Sequence, residues 1–172
     1  MLIGLGGGVQ SAIAPGAPVR LAMRLGFKPK GRWAPLLFAE GAYLLPVSER
    51  AVEFSDLITG RAGVSIELLR TAQWSAGPEI GFEMGNIEAS GDVSLLVNPN
   101  VDRSLWMASE LGGYGRWVYL PDLFLELGAG LVVPLVRRDY LYRPRSPAAE
   151  PVVVWSIPSA GFTAMGRIGL FL

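Results

Sequence analysis

The chain has 172 residues, enough for one domain, and its 15 basic and 15 acidic residues leave it formally neutral. Balanced charge argues against nucleic acid as the main partner, and the absence of Cys and His removes thiol chemistry, Ser-His-Asp and Cys-His nucleophile systems and His-based metal sites. With 51% apolar and only 17% charged residues the chain is hydrophobic, yet no apolar run is long enough for a membrane-spanning helix; the best, Leu123 to Val136, is broken by Glu126, Gly128, Ala129, Gly130 and Pro134.

A hydrophobic chain without a hydrophobic helix points to strands that are apolar on one side. Eight are predicted. The first, Leu2 to Ser11, is Gly-rich, and a turn at Ala14 to Pro18 follows. The second, Val19 to Lys28, sets Val19, Leu21, Met23, Leu25 and Phe27 against Arg20, Ala22, Arg24, Gly26 and Lys28. The third, Trp33 to Val47, carries Glu40 but alternates poorly and contains Pro35 and Pro46. Ser48 to Asp56 is predicted as a charged loop. The fourth strand, Leu57 to Arg70, places Arg61 and Glu67 opposite its apolar residues.

The fifth strand, Trp74 to Glu88, aligns Glu79 and Glu83, and a long loop is expected over Ala89 to Asp102. The sixth, Arg103 to Tyr119, puts Glu110 and Arg116 opposite Leu105, Met107, Leu111, Trp117 and Tyr119. The seventh, Leu123 to Arg138, sets Glu126 and Arg138 opposite a row of Leu and Val. A Pro- and Arg-rich loop over Asp139 to Pro151 leads to the eighth, Val152 to Leu172. After the first connection the loops run short, long, short, long, short, long, with both chain ends on the short-turn side. The pattern covers 1–172 as a single domain.

Period two does not say which face points inward, because a lipocalin-like soluble carrier of an apolar ligand has the same alternation. Three features favour an apolar exterior. Aromatic residues gather near the short turns (Phe27, Trp33, Trp74, Trp117, Tyr119, Phe124, Phe171) and near the long loops (Tyr43, Trp106, Tyr140, Tyr142, Trp155), as two interfacial belts would. The polar face is rich in Gly, Ala and Ser, which leave room for long side chains in a narrow lumen. Its charges balance: Glu40, Glu67, Glu79, Glu83, Glu110 and Glu126 against Arg20, Arg24, Arg61, Arg116, Arg138 and Arg167. Such a set suits an interior ion-pair network, since unpaired charge in a closed space is very costly.

No catalytic, cofactor or metal site is expected. Glu79 and Glu83 lie roughly 13 Å apart along an extended strand, too far for a retaining glycosidase pair. Gly6, Gly7 and Gly8 lack the Lys-Ser/Thr and the helix of a phosphate loop. Arg137, Arg138, Tyr140, Tyr142, Arg143 and Arg145 form a basic loop, read as solvated, with lipopolysaccharide phosphates as the alternative partner.

The last twelve residues alternate up to an apolar end, with Gly166, Ile168, Leu170 and Leu172 on one face and Phe171 on the other. This strand and the loop asymmetry resemble the small bacterial outer-membrane β-barrel superfamily, of the OmpA transmembrane-domain or OmpX-like kind. The resemblance implies an eight-stranded antiparallel up-and-down transmembrane β-barrel, all-β, in the bacterial outer membrane. Its C-terminal strand would act as an insertion signal for the barrel-assembly machinery, and outer-membrane lipids would surround it. It implies a monomer without enzymatic activity, serving envelope or surface interaction through its long loops. A narrow small-solute channel is the alternative. Met1 leads straight into strand-like sequence without a signal peptide, so an exported protein is expected here in mature or trimmed form.

Overall fold

The structure is a computed structural model that describes residues 1–31, 34–49, 52–91, 101–142, 150 and 152–172. It is a closed antiparallel barrel of eight strands. The wall consists of β1 (Leu2–Gln10), β2 (Val19–Phe27), β3 (Leu36–Leu44), β5 (Val52–Ser65), β7 (Trp74–Gly91), β8 (Val101–Leu120), β9 (Leu123–Pro134) and β12 (Gly161–Phe171). Short segments extend it: β4 (Val47–Glu49) and β6 (Leu69–Arg70) pair with β5 and β7, while β10 (Asp139–Tyr142) and β11 (Val152–Ser156) form a separate hairpin.

Each wall strand pairs with its sequence neighbour, and β12 returns to pair with β1, so the main ladder has no free edge. Leu172 N–H donates to the Met1 carbonyl at 2.9 Å and closes the seam. From Leu2, successive register partners are Gly26, Phe38, Gly63, Gly81, Glu110, Val132 and Gly161. Gly161 lies level with Ala12, two places past the Gln10–Thr163 pair, so one circuit climbs ten residues. That stagger tilts the strands, and eight strands enclose only enough space for side chains to fill.

Among the described residues, strand reaches into two of the expected long loops. The ladder continues through β4 and the start of β5, and through the ends of β7 and β8, because Val52, Phe54, Ile87 and Ala89 still bury their side chains there. Conversely, the expected final strand is split. Pro158 lies in the break between β11 and β12, and β11 pairs with β10 instead of the wall. The third strand ends before Pro46, and β5 stops at Ser65.

The outward face of the wall is apolar up to the loop-end extensions of β7 and β8, where Glu88 and Arg103 pair outside. Leu5, Leu21, Met23, Ile58, Ile80, Leu111 and Ile168 are exposed, and Leu127 reaches 73% exposure. The inward face holds the Arg and Glu side chains, with Arg24 at 1% and Glu83 at 0%. Small residues make this possible: a Cβ on Gly81 would lie 2.7 Å from Nε of Arg61, which occupies that space.

At the β1–β12 seam, Gly7 and Gly8 separate the requirements of the two faces. A Cβ on outward Gly7 would meet nothing nearer than 3.7 Å, whereas one on inward Gly8 would run into the Ala164 carbonyl and the Met165 side chain. Gly8→Val is therefore expected to abolish the compact, heat-modifiable band of detergent-folded protein on a gel, and Gly7→Val to retain it.

Candidate functional site

The interior is built in three storeys. At the short-turn end Leu2, Leu36 and Phe124 form a small apolar cluster, with Phe171 packed against it. At the long-loop end a larger apolar core joins wall residues Leu44, Leu57, Trp106, Ala108 and Val132 to the connection after β1, through Ala12, Ile13 and Ala14. Ala12 takes a left-handed backbone conformation (φ 75°), uncommon for a residue with a Cβ, as the connection turns inward and buries Ile13 completely. The β10–β11 hairpin covers this core. Tyr140 and Trp155 stack with centroids 5.7 Å apart, and both meet the Phe54 ring edge-on.

Between the two apolar storeys, the described residues form a network of five Arg and five Glu. Arg24 binds both carboxylate oxygens of Glu79, at 2.7 and 2.9 Å, and gives Nε to Glu40 at 2.9 Å. Arg61 reaches Glu79 at 2.7 Å and Glu110 at 3.1 Å. Arg167 bridges Glu40 at 2.7 Å and Glu126 at 3.0 Å. Arg20 joins Glu40 at 3.0 Å to Glu83 at 2.9 Å, and Arg116 gives Nε and Nη2 to one oxygen of Glu126. The guanidiniums of Arg24 and Arg61 also lie 4.1 and 5.0 Å from the centre of the Phe38 ring. Every acid has an Arg within about 3.1 Å, the arrangement that limits the cost of burying charge.

Two neutral side chains complete the network. Gln10, fully buried, donates to Glu83 at 2.8 Å and accepts from Arg20. Ser65 donates to Glu79 at 2.9 Å. Neither stands out in the sequence, although Gln10 shares the inward parity of β1.

Several sequence expectations need correction. Glu67 is outside the network: β5 ends two residues before it, and it pairs with Lys28 and Arg70 at the short-turn rim. Arg138 is exposed beyond the end of β9, where its carbonyl accepts from Ile157. Trp106 and Phe124 belong inside, since they share parity with Glu110 and Glu126; Trp106 is 0% exposed. Phe171 points to the mouth and packs on Phe124 with centroids 5.0 Å apart. Tyr140 donates to or accepts from Ser104 inside the loop-end core, and Trp155 packs against the same core. Of the aromatics expected at the exterior, Phe27, Tyr43, Trp74 and Tyr119 are exposed, with Trp117 stacked on Trp74. Trp33 and the Tyr142 side chain lie outside the described residues, as do Arg143 and Arg145. In β12, Ile168 and Leu170 point outward, and Leu172 is exposed.

Removing one hub acid strands several buried cations. Glu40→Ala is expected to lower unfolding free energy by about 3–5 kcal/mol, and Glu67→Ala on the partly exposed rim by less than about 1 kcal/mol. Urea unfolding in detergent, followed by tryptophan fluorescence, measures both.

No protein-family model matches the sequence, and no curated protein sequence matches it. Solved structures do. The chain superposes on a major outer membrane protein from Thermus thermophilus with a TM-score of 0.64 and 10% identity, covering 99% of each chain. It matches Ail, the attachment invasion locus protein of Yersinia pestis, with a TM-score of 0.55 and 8% identity over 98% of this chain and 93% of that one. Neisserial surface protein A matches with a TM-score of 0.51 and 10% identity, again over 98% and 93%. At these identities the likeness concerns architecture, and the chain has the fold of the small outer-membrane eight-stranded β-barrels.

Proposed function

We propose that this chain is a non-enzymatic integral outer-membrane protein with a sealed lumen, acting in envelope or surface interaction through its long-loop end. The observation that carries the reading is the inversion of polarity: aliphatic side chains cover the outside, and paired ions fill the inside. A water-soluble monomer seldom leaves an apolar surface of that extent uncovered, whereas hydrocarbon solvates it. A soluble carrier of an apolar ligand would need an apolar lumen, and the middle of this one holds ten charges. The outer-membrane barrels of the same fold support the location. Outer-membrane lipids would surround the wall, lipopolysaccharide would be the neighbour of the exposed Arg137 and Arg138, and assembly machinery would insert a monomer.

The sealed lumen rests on two features. In the charged layer, the void lined by Arg61, Glu79, Glu110 and Arg167 is about 10 Å³, near the least that holds one water. The loop-end core, with Ile13, Phe54, Leu57 and Trp106 fully buried, lies above it. A narrow channel would require both to open.

Two measurements test the reading. With single-tryptophan variants in vesicles of brominated lipid, Trp117 is expected to be quenched and Trp106 protected; the reverse would refute the orientation. In planar bilayers no steady conductance is expected, and Glu110→Ala alone is expected to leave the protein closed, because the apolar core is independent of that charge. Steady conductance through the unaltered protein would favour the channel.

A further inference from the structure

The short-turn mouth contains a cavity of about 280 Å³ lined by both cationic and apolar side chains. Arg116 forms part of the floor. It is only 3% exposed, and its Nε and Nη2 are both committed to Glu126, yet Nη1 donates to no described residue. Phe124 and Phe171 flank the guanidinium with ring centres at 4.9 and 6.0 Å, which fixes the cation in place. Lys28 and Arg70 line the same cavity and share a single acid, Glu67. The network beneath is balanced five against five, so the rim's surplus cation is not cancelled from below. The same cavity is also lined by Leu2, Leu36, Val118 and Phe171.

We propose that this mouth binds a small organic anion, a carboxylate or phosphate monoester with a short apolar tail. The anionic group would take the free Nη1 edge of Arg116 with help from Lys28 and Arg70, and the tail would lie against Leu36, Val118 and Phe171. The volume falls just below the roughly 300–1,000 Å³ of drug-sized sites, which limits the tail to a few carbons. Cations held against low-dielectric walls attract anions more strongly than the same cations in open solvent. The inference is independent of the loop-end role, because it concerns the opposite end of the barrel.

The test uses the full chain folded in phosphatidylcholine nanodiscs, with the Arg116 Nε and Trp74 indole resonances as readouts. Hexanoate and hexyl phosphate are expected to shift both resonances saturably, inorganic phosphate to do so only at higher concentration, and hexylamine not at all. The Lys28→Gln/Arg70→Gln double variant, outside the five-and-five network, is expected to bind about fivefold to tenfold more weakly while keeping its compact gel band. Exchanging phosphatidylcholine for phosphatidylglycerol distinguishes sources. A shift without added ligand identifies a lipid headgroup, and a shift on adding hexanoate alone identifies a soluble acid; either supports the anion site. No saturable shift with any anion, equal binding of hexylamine, or unchanged affinity in the double variant would overturn it. Equal affinity for inorganic phosphate and hexyl phosphate would overturn the apolar half.

Discussion

The rest of the molecule depends on ten ionisable side chains, five Arg and five Glu, pairing with one another where little water reaches. An isolated guanidinium or carboxylate there would be prohibitive, so each must find its partner, and the partners come from strands far apart in the chain. Glu40 on β3 binds Arg20 and Arg24 on the adjacent β2 and Arg167 on β12, while Arg24 also takes Glu79 across the lumen. The strands are thus tied through the middle as well as along the wall. Hydrogen-bond ladders fix the register between neighbours, and the ion pairs fix opposite sides of the cylinder relative to one another.

The balance also explains the surrounding composition. Arg is suited to this role because its planar fork serves two acids at once and keeps its proton when buried. Five such forks need space, and glycine on the inward face supplies it, as Gly81 does beside Arg61. The apolar storey at the long-loop end shields the pairs from bulk solvent on that side, which preserves the strength that a low dielectric gives them. The outer wall then has no polar duty, and its aliphatic character follows.

Much of this was legible from period two alone. Strict alternation in the second strand assigned Arg20 and Arg24 to one face, and the same parity placed Glu79, Glu83, Glu110, Arg116, Glu126 and Arg167. Parity also held the correction for Trp106 and Phe124, but residue type, with its association with interfacial belts, pointed the other way. Glu67 and Arg138 were misassigned because alternation does not reveal where a strand stops. The upward extension of β5, β7 and β8 was hidden for a related reason: a charged stretch reads as loop until the buried neighbours of Val52, Phe54 and Ile87 are known. The inward turn at Ala12–Ala14 depends wholly on tertiary packing and leaves only a Pro–Gly signal in the sequence.

The contact between Glu40 and Arg167 spans 127 positions in the chain. Non-local contacts of that range reward the chain only after the intervening segments have been brought together, which makes formation slow and late. For a cylinder assembling in a bilayer, strands cannot enter one at a time without presenting bare ions to hydrocarbon. Solvent must therefore accompany the charges until the final strand meets the first, and dehydration of the lumen becomes the last event of biogenesis.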